Sequence, residues 1–391
     1  MNSNVVLCMG TRPEIIKLAP VYHELKKRGM RPEVVHTGQH REVADGLYEF
    51  FRMPPVARLR LERRTSTLAE LSESLLSGLT AHFGQMKPSC VVVQGDTTTA
   101  FIGGLAAAYQ HIPVVHVEAG LRTRQRDPFP EEMNRTLLAR IADVHFAPTT
   151  RAVANLQAEG VPLADIYFVG NTAVDAVHWV DQELRSDTSS QARGVAEVRE
   201  FINAVDEGAP LALVTAHRRE NWGEPLQRIA ESVQALLMMH ETLRVVWPVH
   251  PNPAVSDVVR EVMATLGKAA RARLCLTDPL DYPDLLRVLR RCELVLTDSG
   301  GIQEEAATLR KPILIMRDST ERQEVVEAGG ARLVGTDSAG IIDAARELLS
   351  DVRIRAAMRI KENPFGDGTA AARIAEVLAE RFMAGSERHV A

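Results

Sequence analysis

The 391-residue sequence lacks the patterns that mark disulfide-rich, zinc-binding and membrane-spanning proteins. Its four cysteines are widely separated and form no Cys-x-x-Cys pair, which favours a reduced, cytoplasmic protein over a disulfide scaffold or zinc site. The twelve histidines form no His-Glu-x-x-His pattern. No apolar run approaches the length of a membrane span, and the amino terminus lacks the apolar core of a signal peptide. We therefore expect no metal site and no membrane segment.

An excess of one charge is also missing. The chain has 46 Lys and Arg against 51 Asp and Glu, and the formal net charge of -5 gives no indication of a nucleic-acid or membrane surface. Basic residues that bind an anion must therefore act locally. At 391 residues the chain exceeds what one hydrophobic core usually supports, so two domains are expected.

Short β-rich runs alternate with longer helical patterns along the whole chain, which predicts an α/β protein with parallel sheets wrapped by helices. We expect two Rossmann-like, doubly wound domains with a ligand cleft between them, where the carboxyl ends of their strands face each other. The predicted domains are residues 1–175 and 176–368, and the last helix, in 369–391, is expected to return to the first domain. The Ser-rich and charge-rich segment 187–193 is predicted to be a surface connection, and residues 385–391 a frayed end.

One strand runs directly into Ser299-Gly300-Gly301 and then into a helix. Two glycines let the backbone approach an anion, and the first amides of a helix point outward with the positive end of the helix dipole behind them. This pattern predicts a phosphate site. Glu304 and Glu305 would repel a phosphate, so one of them is a candidate for the ribose hydroxyls of a nucleotide. The alternative is a simple tight turn.

Three acidic residues are candidates for acid/base chemistry. Asp96 and Glu118 each follow a buried strand, where a charged side chain needs a partner because its desolvation is costly. The structural alternatives are that Asp96 caps the next helix and that Glu118 pairs with Arg122 or Arg124. Glu131, the third candidate, lies in a Pro-Glu-Glu segment that is also typical of a helix start.

Basic residues follow other strands of the pattern. Arg12 and Lys17 come after the first strand, where an arginine can bind phosphate with two hydrogen bonds. His217 follows the first strand of the second domain and can donate a proton or a hydrogen bond near neutral pH. His250, between two prolines, is expected to shape the cleft, and Arg322 to close over the nucleotide.

Seven segments in order resemble the non-hydrolysing UDP-N-acetylglucosamine 2-epimerase family, over residues 10 to about 368. They are Gly-Thr-Arg-Pro-Glu at 10–14, Gly-Asp-Thr-Thr-Thr at 95–99, His-Val-Glu-Ala-Gly-Leu-Arg-Thr at 116–123, Pro-Glu-Glu-Met-Asn-Arg at 130–135, His-Arg-Arg-Glu-Asn at 217–221, Asp-Ser-Gly-Gly-Ile-Gln-Glu-Glu-Ala at 298–306 and Thr-Glu-Arg at 320–322. The resemblance implies two domains of the GT-B type, usually a homodimer, and a reaction that needs no metal or nicotinamide cofactor. The expected partners are UDP and its N-acetylglucosamine conjugate, with no nucleic acid.

The implied reaction is loss of UDP from UDP-N-acetylglucosamine to leave a bound 2-acetamidoglucal, followed by return of UDP to give UDP-N-acetylmannosamine. The family's motifs imply the catalytic residues Asp96, Glu118, Glu131 and His217. They imply contacts with the substrate by Arg12, Lys17, Arg135, His250, Ser299, Gly300, Gly301, Glu305 and Arg322. A GT-B glycosyltransferase that uses a UDP-sugar donor is the alternative, because the fold does not fix the chemistry.

Some positions depart from the family's pattern. Gln39 and His40 resemble part of a regulatory site that binds a second substrate molecule, whereas Glu42 and the pair Thr65-Ser66 do not match that site. Where relatives often stack an aromatic ring on uracil, this chain has Leu285, with Tyr282 one helical turn earlier.

Overall fold

The structure is a computed structural model that describes residues 4–39, 44–61, 65, 67–186, 196–204 and 209–382. It divides into two compact units, which are unit 1, Met1–His178 with Phe365–Ala391, and unit 2, Trp179–Pro364. These boundaries differ by a few residues from those expected at 175/176 and 368/369, because neither falls at a change of secondary structure. One lies inside the helix Thr172–Ser186, and the other lies in an irregular stretch, 361–369. Residues 187–193 and 385–391, a predicted connection and a predicted frayed end, lie outside the described residues.

Unit 1 contains a parallel sheet in the order β3-β2-β1-β4-β5-β6-β7. Within the described residues its strands are β1 Asn4–Met9, β2 Arg31–His36, β3 Pro55–Arg58, β4 Cys90–Gln94, β5 Val114–Val117, β6 Val144–Ala147 and β7 Ile166–Phe168. The helices are α1 Arg12–Lys27, α2 Ala44–Phe50, α3 Leu68–Met86, α4 Thr98–Ala108, α5 Glu131–Ile141, α6 Thr150–Ala158 and α7 Thr172–Ser186. A 3-10 turn spans Leu163–Asp165.

The central strands of this sheet are mostly apolar because helices cover both faces. Residues Val5–Met9 of β1 are each 0% exposed, and β4 is buried throughout. The edge strands β3 and β7 are only four and three residues long, and both are partly exposed. Their short, mixed sequences carry little apolar periodicity, so neither strand is predicted from the sequence.

Unit 2 contains a second parallel sheet, in the order β10-β9-β8-β11-β12-β13. Within the described residues its strands are β8 Leu211–Thr215, β9 Arg244–Pro248, β10 Leu274–Thr277, β11 Leu294–Thr297, β12 Ile313–Ile315 and β13 Ala331–Leu333. Its helices are α8 Ala196–Asn203, α9 Glu224–Met239, α10 Pro253–Ala264, α11 Lys268–Arg271, α12 Tyr282–Arg291, α13 Gly300–Thr308, α14 Gln323–Glu327, α15 Ser338–Ser350 and α16 Val352–Ala357. A 3-10 turn spans Arg219–Asn221. The predicted α/β class with two doubly wound sheets is confirmed.

The last helix, α17 Ala370–Phe382, lies against α1 within unit 1. Asp175 of α7 accepts a hydrogen bond from the Ala371 amide at 2.9 Å, and the guanidinium of Arg373 donates to the carbonyl of Val169 at 2.9 Å. The start of α17 is therefore fixed by polar groups of unit 1. No helix among the described residues has both the length and the apolar character that a bilayer crossing demands.

Candidate active site

In each unit the strand order reverses at one point, which in open α/β sheets is where ligands bind. In unit 1 this point lies between β1 and β4, and in unit 2 between β8 and β11. Asp96, His217 and Ser299 lie in the loops that follow these strands, and Arg12 begins the helix that follows β1. Glu118 follows β5, the neighbour of β4, so Asp96 and Glu118 both lie at the carboxyl end of the sheet in unit 1.

The loop after β1 is held by a carboxylate that the sequence analysis quoted without a role. Glu14 is 0% exposed and accepts hydrogen bonds from the backbone amides of Gly10 at 2.9 Å and Thr11 at 2.7 Å. Its other oxygen accepts from the Thr97 hydroxyl at 2.6 Å, which ties the loop after β1 to the loop after β4. Burial raises the pKa of Glu14 against the effect of these hydrogen bonds. The start of α1, which begins at Arg12, is thereby fixed.

Glu118 lies at the tip of β5 in a buried polar cluster. Lys17 Nζ and Gln94 Nε2 each donate to Oε2 of Glu118 at 2.5 Å. The backbone of Glu118 has φ +67°, a value that is uncommon outside glycine and often occurs at functional sites. Lys17 was expected to contact phosphate or sugar, and in this structure its partner is the carboxylate.

The structural alternative for Glu118, an ion pair with Arg122 or Arg124, is wrong. Arg122 makes two hydrogen bonds of 2.7 Å to Glu159, and the guanidinium of Arg124 donates to Asn155 at 3.0 Å. Neither arginine is the structural partner proposed for Glu118. The cation that pairs with Glu118 instead comes from α1, which spacing along the chain did not indicate.

Asp96 forms a second acidic site at the tip of β4. Its carboxylate pairs with Arg135 at 2.9 Å, and its carbonyl accepts from the Asn134 amide at 2.9 Å. The alternative that Asp96 caps α4 is wrong, because Thr97 is the capping residue. Nη1 of Arg135 is buried and has no hydrogen-bond partner among the described residues. Glu131 begins α5, the helix that carries Asn134 and Arg135.

In unit 2 a buried aspartate organises the loop after β8. Asp298 is 0% exposed, and its Oδ2 accepts from the amides of His217 at 2.9 Å and Arg218 at 2.8 Å and from Asn221 at 3.0 Å. Its Oδ1 lies 3.6 Å from Nδ1 of His217. The 298–306 motif begins with Asp298, but the pattern gave no indication of this role.

The imidazole of His217 is subject to opposing influences. Burial lowers its pKa, as do Arg218 and His250, while Asp298 raises it. The net direction is downward, although 41% of the side-chain surface remains exposed. The ring stacks on His250 with centroids 6.2 Å apart, so His250 lies beside His217.

The predicted phosphate site at the start of α13 lies against an arginine. Arg322 donates to Glu304 through Nε at 2.9 Å and pairs with it through Nη2 at 2.8 Å. A Cβ atom at Gly300 would lie 2.8 Å from the Arg322 guanidinium, so a larger residue there would make the guanidinium shift. Ser299 is the residue before α13, and Gly301 lies in its first turn.

A further ion-pair network supports Arg322 and was missed by the sequence analysis. Arg317 follows β12 and contacts Glu220 at 2.6 Å and Glu321 at 3.1 Å, while Arg322 lies 3.6 Å from Glu321. Burial alone would raise the pKa of Glu321, but Arg322 and Arg317 outweigh it and hold the pKa at about 2. Glu305, the predicted ribose contact, is 8% exposed on α13.

A family model described as UDP-N-acetylglucosamine 2-epimerase matches residues 23–379. The chain belongs to the UDP-N-acetylglucosamine 2-epimerase family. A relative from Salmonella typhimurium named UDP-N-acetylglucosamine 2-epimerase is 42% identical over 377 residues, which cover 96% of this chain and 98% of the relative. The family match supports UDP-N-acetylglucosamine 2-epimerase activity, so this epimerase is an isomerase.

Solved epimerases have the same fold as this epimerase. The Neisseria meningitidis enzyme bound to UDP-GlcNAc superposes with a TM-score of 0.90 at 37% identity, covering 96% of this chain and 100% of that one. The Methanocaldococcus jannaschii enzyme in complex with UDP-GlcNAc and UDP gives a TM-score of 0.81 at 33% identity, covering 96% and 99%.

Two departures from the family's pattern can be followed into the epimerase structure. Leu285 is 8% exposed and Tyr282 is fully buried. The Tyr282 ring is therefore not available at the surface to stack on uracil in place of the aromatic residue that relatives have. In the predicted regulatory region Gln39 accepts from the Thr99 hydroxyl at 2.8 Å, and the amide of Thr65 donates to the first-turn glutamate of α3. His40, Glu42 and Ser66 lie outside the described residues.

Proposed function

We propose that this chain is a non-hydrolysing epimerase that interconverts UDP-N-acetylglucosamine and UDP-N-acetylmannosamine. The observation that carries the proposal is the buried cluster at the tip of β5. A carboxylate held between an ammonium and an amide, beside the Asp96–Arg135 pair of the neighbouring strand, suits repeated proton transfer at a weakly acidic carbon. Structures of related epimerases with UDP-GlcNAc support the substrate class.

We assign the anchoring of UDP to unit 2. The first amides of α13 and the guanidinium of Arg322 form a positively charged site for phosphate, and Gly300 lets them approach each other. His217 adds a hydrogen-bond donor, and Glu305 accepts from ribose. In unit 1, Arg12 assists at the phosphates, and Arg135 offers its buried Nη1 to a substrate oxygen.

The proposed reaction begins with elimination across C1 and C2 of the sugar. A carboxylate takes the C2 proton, the C2–H electron pair forms the C1–C2 double bond, and the C1–O bond breaks with its pair passing to UDP. The product pair is UDP and 2-acetamidoglucal. For re-addition UDP attacks C1 while a proton is delivered to the opposite face of C2, so no net oxidation or reduction takes place.

Inversion at C2 requires proton donors and acceptors on both faces of the ring. Asp96, Glu118 and Glu131 are the proposed set. Lys17 places its ammonium against the Glu118 carboxylate and donates a hydrogen bond to it. His217 stabilises the negative charge that develops on the departing diphosphate.

The direct test is incubation of the purified chain with UDP-N-acetylglucosamine alone. The proposal expects UDP-N-acetylmannosamine to accumulate without any acceptor. Turnover only after an acceptor is added would instead identify a glycosyltransferase, and accumulation of free N-acetylmannosamine with UDP would identify a hydrolysing epimerase. Tight binding without turnover would identify a UDP-sugar sensor.

We also propose that the chain acts as a homodimer, as the family resemblance implies. Light scattering during size-exclusion chromatography measures its mass directly. A mass near the 43.1 kDa of one chain would contradict the dimer.

A further inference from the structure

Gln94 has the geometry of a residue that acts through a catalytic carboxylate. Its Nε2 and the Nζ of Lys17 both donate to the same atom, Oε2 of Glu118. The exposed fractions of Gln94, Lys17 and Glu118 are 3%, 7% and 9%. The amide and the ammonium therefore meet one carboxylate oxygen in a site shielded from water.

The backbone fixes Gln94 in this position. It is the last residue of β4 and lies in register with Val117 of β5, the residue directly before Glu118. Because Glu118 has φ +67°, its backbone does not by itself hold the side chain in a common strand geometry. The side-chain donors Lys17 and Gln94 therefore help to orient the carboxylate.

We propose that Gln94 is a positioning residue that, by donating to Glu118 Oε2, holds the carboxylate in the orientation from which Glu118 exchanges a proton with C2 of the sugar. This inference rests on the proposed function. A hydrogen bond to an ionised carboxylate is among the stronger ones and fixes its orientation. The C2 proton then bonds to the carboxylate as the C2–H pair forms the double bond and UDP departs with the C1–O pair.

Gln94→Met tests the role, because methionine keeps the length of the side chain and removes the donor. Exchange of the C2 hydrogen of UDP-N-acetylglucosamine in D2O is followed by NMR. We expect kcat for exchange to fall by about 10-fold to 100-fold, the loss that follows removal of one hydrogen bond to a charged group. The KM for the UDP-sugar and the Kd for UDP are expected to stay unchanged.

Gln110→Met is the matched control. Gln110 also lies in unit 1, but its amide donates to the carbonyl of Thr80 at 2.9 Å and not to a carboxylate. This variant is expected to exchange C2 hydrogen at the wild-type rate. Gln94→Asn is the second variant, which keeps an amide but shortens the side chain by one methylene, and the same loss of kcat is expected.

Three results would overturn the inference while leaving the epimerase itself intact. They are wild-type kcat in Gln94→Met, a loss confined to KM or to UDP binding, and a loss in Gln94→Met accompanied by a fall in melting temperature while Gln94→Asn keeps wild-type exchange. Absence of C2 exchange in the wild-type chain is a separate outcome, and it would contradict the proposed function.

Discussion

Nζ of Lys17 lies 2.5 Å from Oε2 of Glu118, and the exposed fractions of the two side chains are 8% and 6%. Two opposite charges are thus held together out of water, at the carboxyl edge of the sheet in unit 1. Removal of one partner of such a pair leaves the other charge buried without compensation. The pair therefore links the stability of unit 1 to the proposed chemistry.

Lys17→Met should destabilise the chain by about 3–5 kcal/mol, because the Glu118 charge loses its cation in a buried site. Urea unfolding followed by circular dichroism measures the change. Lys27→Met on the same helix is the control, since Lys27 is 70% exposed where it pairs with Glu24. An exposed pair contributes about 0–1 kcal/mol, so equal losses in both variants would contradict this account of the buried pair.

Asp298→Asn should weaken UDP binding by about 10-fold, because the charged acceptor of the His217 and Arg218 amides becomes a neutral one. The substitution also removes the anion that raises the pKa of His217, so the imidazole should titrate at lower pH. Calorimetric titration with UDP measures the affinity, and NMR of the histidine ring measures its pKa. Unchanged values of both would remove Asp298 from the site.

Gly300→Ala should weaken UDP binding and leave folding intact. The added Cβ would lie 2.8 Å from the Arg322 guanidinium, which must shift away from the start of α13. Gly267→Ala in the same unit is the control, because no atom lies within 4 Å of its Cβ position. Equal UDP affinity in the two variants would show that the approach of Arg322 to α13 does not serve the phosphate.

Asp175 should make the folding of unit 1 depend on pH. Burial raises the pKa of Asp175 from 3.8 to about 6, even though its carboxylate accepts a hydrogen bond from Ala371. The pKa of Asp175 is higher in the folded protein than in the unfolded chain. Its contribution to the free energy of unfolding is therefore full below pH 4 and is lost as the pH rises through about 6.

The difference in unfolding free energy between wild type and Asp175→Asn should therefore change with pH. Between pH 4 and pH 7.5 it should shift by up to about 3 kcal/mol in favour of the Asn variant. Urea unfolding at the two pH values gives this difference. A constant difference, or a shift in favour of the wild type, would contradict the burial of the Asp175 charge.

The fold was largely predictable because buried parallel strands are continuous apolar runs and glycine or proline marks the turns between them. The edge strands β3 and β7 were missed because a short, half-exposed strand has no such run. The strand-end positions of Asp96, Glu118 and Ser299 followed from the same alternation. It was therefore predictable that these residues lie at the carboxyl ends of their strands.

The partners of these residues were not predictable, since they come from distant parts of the chain. Lys17 reaches Glu118 across 101 positions, and Asp298 reaches the amide of His217 across 81. A sequence pattern shows which side chains follow strands, but only strand order decides which loops become neighbours. Spacing alone offered Arg122 and Arg124 as structural partners of Glu118, and that alternative was wrong.

The central claim is that Glu118 exchanges a proton with C2 of a bound UDP-sugar. Glu118→Gln keeps the shape of the side chain and removes its charge, so UDP should bind with wild-type Kd. Incubation of this variant with UDP-N-acetylglucosamine in D2O should give no deuterium at C2, while the wild-type chain labels C2 fully. Deuterium incorporation by the variant at a near wild-type rate would contradict the account.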